Sequence, residues 1–314
     1  MSRKVLLQLV LPLIGLSVLF WLLAFAPGDK HHQPALLEMS VILRDGDDNV
    51  SAMRKGMEQA AKDLNVELRF LTPAEDNSAV EQVQLLEHEV SGAAPAILLI
   101  PADREALGEA VSAAAGKTTL VTVESDMTAW GADASISMDH QALGEALGKA
   151  ALNGVSFGGT VLLLDSLLGD NGVRERMEAA KALLEEKGRQ VRIYRWTSDS
   201  TAFANILRIE RPKAVIAFEA AALTEMAELS RGEEAFPLLY GCGSTAGIAA
   251  ALEKGRVTAI AAVNVFSAGY LAVEAAAKLA RHESWTGASS VGFSIVRQET
   301  MYSSDNQKLL FPVT

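Results

Sequence analysis

The sequence predicts an α/β fold of two lobes, each a parallel sheet flanked by helices. Three observations carry that prediction. Apolar runs of strand length alternate with stretches of helical spacing from Leu36 to Val296. Several of those runs are apolar throughout, as strands covered on both faces are. The series also restarts after Gly154–Gly159, a glycine-rich break between two halves.

The first strand is Leu36–Leu43. Met53, Met57, Ala60, Ala61 and Leu64 then fall at helical spacing, and Val66, Leu68 and Phe70 alternate as a half-buried strand does. Val80, Val83, Leu86 and Val90 form a second helical face before the buried strand Ala96–Ile100, which Pro101 closes. A helix through Leu107, Ala110 and Ala114 leads to the strand Leu120–Val123. Ile136–Met138 precedes a helix carrying Leu143, Leu147 and Ala151. The second half has strands at Thr160–Leu164, Val191–Trp196, Ala214–Phe218, Leu238–Tyr240 and Thr258–Val263. Its first helix presents Val173, Met177, Ala180 and Leu184 on one face, and three further helices follow the same logic. An alanine-rich helix, Ala268–Ala280, and a last strand, Val291–Val296, end the series.

The 314 residues hold 28 Lys and Arg against 39 Asp and Glu, a net charge of −11. A phosphate backbone would be repelled, so a non-specific nucleic-acid binder is excluded. With 49% hydrophobic and 21% charged residues the composition is globular, which excludes wholesale disorder. The one cysteine, Cys242, excludes an internal disulfide and a cysteine-rich zinc site.

Arg3 and Lys4 precede an apolar run from Val5 to Ala26, long enough to cross a hydrocarbon core, which takes about 20 residues. Ala24-Phe25-Ala26 has the small-x-small form of a signal cleavage site, but Pro27 follows it directly and disfavours cleavage. Residues 1–26 therefore read as a transmembrane anchor, with a removed signal segment as the alternative, and residues 27–35 as a tether. The positive flank stays in the cytoplasm, so everything after Pro27 is expected outside.

In such sheets ligands sit beyond the carboxyl ends of the strands. Those ends include Arg44–Asn49, Pro101–Arg104, Glu124–Trp130, Asp139-His140, Asp165–Arg174, Glu219 and Asn264, mostly polar and many acidic. Gly241-Cys242-Gly243 through Gly247 resembles a dinucleotide loop, but its spacing is one residue too long, so a tight strand-to-helix turn is expected. Asp45, Asp47 and Asn49 alternate as in a calcium loop, yet Val50 and Gly56 stand where glycine and a bidentate glutamate are needed. No G-x-S-x-G elbow occurs, and no base is suggested near Cys242, which reads as a small buried residue. Arg174, at the start of a helix, opposes the macrodipole and calls for a compensating acid or ligand; Arg176 reads as solvated. Trp130 and Trp196 either stack on a ligand or belong to the core. Neither an enzyme nor a cofactor or metal site is expected.

The order of elements is similar to that of type I periplasmic binding proteins, in the ribose/galactose-binding branch related to LacI-type ligand domains, over about residues 37–300. Met57-Glu58-Gln59-Ala60-Ala61-Lys62-Asp63-Leu64 resembles that family's first helix, and Ala96 through Asp103 its strand ending in a proline turn. Val121-Thr122-Val123-Glu124-Ser125-Asp126 looks like the strand ending in a ligand-binding aspartate. Asp139-His140 followed by Gly144 resembles the first crossover, and Val173-Arg174-Glu175-Arg176 the segment with a ligand-binding arginine. The resemblance implies two lobes joined by three crossovers near Asp139, Asn264 and Ser294. The N-terminal lobe would be 36–138 plus 264–293, and the C-terminal lobe 139–263 plus 294–314. A small-molecule ligand would lie between them, released to an ABC permease or reported to a sensor protein. The repressor branch is disfavoured, because a membrane segment stands where a DNA-binding head would be.

On this resemblance the ligand contacts would be Asp47, Asn49, Asp126, Asp139, His140, Arg174, Glu219 and Asn264. The pocket departs from a simple sugar site. Asn49 and Val50 replace an aromatic pair, Met127 an arginine, His140 an asparagine and Gly243 an aspartate. An acidic cleft of this kind suits a polyol or an amine-bearing ligand better than a phosphate or carboxylate.

Overall fold

The computed structural model describes residues 35–44, 48–75, 77–165, 171–196, 200–231 and 236–311. Asp47 and the expected membrane segment, residues 5–26, lie outside them. Among the described residues no helix is long and apolar enough to cross a membrane.

The first half runs β1 (Leu37–Ile42), α1 (Asp48–Leu64), β2 (Val66–Leu71), α2 (Ala79–Ser91), β3 (Ala96–Leu99), α3 (Arg104–Ala114), β4 (Thr119–Glu124) and β5 (Ala134–Ser137). The second continues with α4 (His140–Leu152), β6 (Thr160–Asp165), α5 (Asn171–Glu186), β7 (Gln190–Arg195), α6 (Ser200–Glu210), β8 (Ala214–Ala217) and α7 (Ala220–Leu229). Then come β9 (Leu238–Cys242), α8 (Ala246–Glu253), β10 (Ala259–Val263), α9 (Val265–Ala280), β11 (Phe293–Val296) and α10 (Ser304–Leu310). One sheet has the order β2-β1-β3-β4-β5 and the other β11-β10-β9-β8-β6-β7. All neighbours run parallel except β10 and β11.

Alternate residues of each central strand enter different cores. In β3, Ala96 and Leu98 join the core that faces α1 and α9, while Ile97 and Leu99 join the one under α2 and α3. In β8, Ala214 and Ile216 face one side and Val215 and Ala217 the other. Both sets are fully buried, which is why these strands show no polar alternation in sequence. Each such branched side chain contributes roughly 1.5–3 kcal/mol.

The chain passes between lobes three times. β5 belongs to the first sheet, but α4, which follows it, packs on α5 and the second sheet. β10 belongs to the second sheet, and α9 returns to pack on α1, β3, β4 and β5. The expected strand Val291–Val296 is in fact two segments. Ser289 and Val291 exchange backbone hydrogen bonds with Ser137 beside β5, whereas Phe293 already pairs with Val263. The third crossing therefore lies between Val291 and Phe293, just before Ser294.

The inner helices of each lobe meet through glycine. A Cβ at Gly56 of α1 would stand 2.0 Å from the Phe266 carbonyl oxygen of α9, and one at Gly144 of α4 would stand 2.1 Å from the Arg176 carbonyl oxygen of α5. At the turn after β9, Gly243 has φ +133, with Ile248 and Ala220 filling the side-chain position, so this is the tight strand-to-helix turn expected.

Candidate functional site

A polar cleft of about 310 Å³ opens where the first crossover leaves the carboxyl edge of the N-terminal sheet. Ser125 and Asp126 after β4, Ser135 and Ser137 of β5, and Met138, Asp139 and His140 at the crossover form one side. Arg104 of α3, Gly172 and Glu175 of α5, and Ser289 and Ser290 complete it.

The wall is built on an unusual strand end. Glu124, the last residue of β4, has φ +70, a left-handed conformation that costs a non-glycine residue on the order of 1–3 kcal/mol. Its surroundings hold it there. The Glu124 carbonyl accepts from Ser137 Oγ at 2.6 Å and from His140 Nε2 at 2.9 Å. Its carboxylate stands 2.9 Å from Arg44 Nη1, in a largely buried ion pair between β4 and the end of β1. The chain then turns outward. Asp126 Oδ1 accepts from the Thr128 amide at 2.9 Å and the Thr128 hydroxyl at 2.8 Å. Asp139 caps α4, its Oδ1 accepting from the Ala142 amide at 2.8 Å. Both aspartates are exposed, and the second oxygen of each has no hydrogen bond among the described residues.

His140 is buried beside them. Arg176 Nε donates to its Nδ1 at 3.1 Å, and Arg176 Nη1 donates to the Phe218 carbonyl at 2.8 Å. Across the cleft, Arg104 Nη1 lies 3.4 Å from Glu175 Oε1, and the Arg104 guanidinium sits 5.8 Å from the Trp130 ring centre. Burial pushes the Cys242 thiol above its ordinary pKa, with the Arg176 charge pulling the other way. A buried, protonated thiol is no nucleophile. Among the described residues no three His, Cys, Asp or Glu side chains are grouped to hold a metal.

Asp126, Asp139 and His140, three of the residues singled out in the sequence, lie together along this cleft. Asn49 falls in the first turn of α1. Asn264 caps α9, its Oδ1 accepting from the Ser267 amide at 3.0 Å. Glu219 is half-buried at the start of α7, and Arg174 is exposed on α5. Arg174, Glu219 and Asn264 do not line the cleft described above. Arg176 is a correction: it is 8% exposed, not solvated. It lies on the stripe of Val173, Ala180 and Leu184, all buried, whereas Arg174, two residues earlier, points to the opposite face. Trp196 belongs to the core, edge-on to Phe203, and Trp130 packs against Gly108 and Arg104. Sequence reasoning missed Arg104, Glu175 and the Arg44–Glu124 pair as partners, although three of the four stand at strand ends.

Residues 40–284 match the model of a family described as the periplasmic binding protein domain. The chain belongs to that family. Periplasmic binding proteins recognise solutes without transforming them, so the chain is a binding protein and not an enzyme, of a family that works outside the cytoplasm. The two lobes and three crossovers are those of the type I fold. An ABC transporter solute-binding protein from Agrobacterium vitis, solved with D-fucose, is similar at 20% identity and a TM-score of 0.80, over 87% of this chain and 100% of that one. A carbohydrate transporter solute-binding protein from Agrobacterium radiobacter, in complex with D-arabinose, gives 17% identity and a TM-score of 0.81, over 88% and 99%. The XylFII–LytSN complex gives 16% and 0.77, over 85% and 99%. No curated protein matches the chain in sequence.

Proposed function

We propose that this periplasmic binding protein captures a small polar ligand, a sugar-like molecule, polyol or amine-bearing compound, between its lobes and delivers it to an ABC importer. The observation that carries the proposal is the cleft at the first crossover. Its volume falls at the small end of ligand pockets, and its lining is hydroxyls and carboxylates. Asp126, Asp139 and Glu175 stand against one guanidinium, Arg104, which favours hydroxyl or ammonium donors over phosphate. Asp126, Asp139 and His140 are the contacts we assign to it, with Asp47, Asn49, Arg174, Glu219 and Asn264 as further contacts to be made on closure of the lobes. The solved relatives with D-fucose and D-arabinose support a sugar-like ligand. Residues 5–26 would hold the protein at the outer face of the membrane.

A thermal-shift screen of neutral sugars, polyols, amino sugars and sugar phosphates tests this reading. Hits are expected among the first three classes, because a ligand bound only by the folded state raises the melting temperature. A preference for sugar phosphates would overturn the assignment. The similarity to the XylFII–LytSN complex favours a second reading, a tethered sensor feeding a signalling partner such as a histidine kinase. A permease and ATPase encoded beside the gene support import; an adjacent kinase supports sensing.

A further inference from the structure

Arg176 and His140 form a buried polar chain that ties the lobes together at the first crossover. Arg176 donates to His140 Nδ1, so that nitrogen offers its lone pair and carries no proton. The imidazole proton then sits on Nε2, which faces the Glu124 carbonyl, a group that can only accept. These two contacts call for the same neutral tautomer. Protonating Nδ1 would set N–H against N–H and bring a second positive charge beside a guanidinium that does not release its own.

We infer that Arg176 is a positioning residue, which holds His140 as the neutral Nε2–H tautomer and so keeps the cleft wall between Asp126 and Asp139 unchanged where a free histidine would titrate. The inference rests on reading this cleft as the ligand site. Four nearby acids among the described residues are engaged elsewhere. Glu124 turns its carboxylate to Arg44, and Glu175 pairs with Arg104. Asp126 and Asp139 each give one oxygen to a local amide. Cys242, which feels both Arg176 and Glu219, stays a thiol. Gly172 lets the backbone of α5 lie close against the ring, since a Cβ there would stand 2.6 Å from His140 Cε1.

The test is an NMR titration of the full-length chain carrying ¹⁵N-labelled histidine, with His140→Asn identifying the signal. His140 should show the Nε2–H pattern and not titrate between about pH 5 and pH 8. In Arg176→Gln it should titrate near the ordinary value of about 6.5. Calorimetry with D-arabinose as probe gives the functional arm. Wild-type affinity should change less than about twofold from about pH 7.5 to 5.5, and Arg176→Gln should lose about tenfold, the fall in neutral imidazole over that range. The double variant Arg176→Gln/His140→Asn should again be flat. A merely structural role for Arg176 would weaken binding equally at both pH values and would overturn the inference. So would a wild-type His140 titrating near about 6.5, a result that decides the matter even if Arg176→Gln does not fold. If D-arabinose does not bind, that counts against the ligand reading, while the NMR arm still decides the tautomer.

Discussion

The inner helix pairs of the two lobes use one packing device for different ends. In the N-terminal lobe the device is reciprocal. Gly56 of α1 admits the backbone of α9 at Phe266, and Gly269 of α9 admits the backbone of α1 at Met53, where a Cβ would stand 2.1 Å from the carbonyl oxygen. The surrounding contacts are apolar, with Met53, Met57, Ala60, Ala268 and Ala272 all buried. In the C-terminal lobe, Gly144 of α4 admits the backbone of α5 at Arg176, while Gly172 of α5 admits the His140 ring rather than backbone. Close approach there brings a guanidinium onto an imidazole at the edge of the cleft. One pair supplies stability, and the other supplies stability and also shapes the wall of the cleft.

Substitutions can separate the two. Gly144→Ala should show the largest effect: overpacking costs about 1–3 kcal/mol, and the forced shift of Arg176 should abolish ligand binding at temperatures where the variant is folded. Urea denaturation and calorimetry read the two losses. Gly56→Ala should lose similar stability yet bind normally once folded; if it also loses binding, the contrast between the lobes fails. Asp139→Ala removes the cap of α4 and should cost about 1 kcal/mol of stability as well as affinity. Arg104→Ala breaks a partly exposed pair and should change stability by less than about 1 kcal/mol. The smallest effect concerns Cys242. Because burial raises its folded pKa, the stability it contributes is fully present below the unfolded thiol's pKa of about 8.5 and is lost as pH rises above it. Native protein should resist a thiol reagent at neutral pH, and rapid labelling would show that the core around Arg176 is open.

The fold was legible because strands buried on both faces write continuous apolar runs, and helices between them write a stripe. Which sheet a run joins is not written in that pattern. Val291 and Phe293 are equally apolar neighbours, yet the chain changes lobes between them. The site was legible in part. Asp139 and Asn264 drew attention as polar residues at strand ends, but the same short acceptors cap helices, and both do so. Arg176 could have been found: it falls on the buried stripe of its helix, and its charge alone argued for solvent. The Arg104–Glu175 and Arg44–Glu124 pairs join residues far apart in the chain, and only the folded arrangement brings them into contact.

The claim that two lobes trap a small polar ligand at this cleft meets its most direct test in titration calorimetry of the full-length chain and of Asp126→Ala. The titrant should be the sugar, polyol or amine that raises the melting temperature most. A single site is predicted, weakened at least about tenfold by the substitution, since hydrogen bonds to a charged group are worth about 1.5–3 kcal/mol. Equal affinity in the two proteins, or no binding anywhere in the panel, would contradict it.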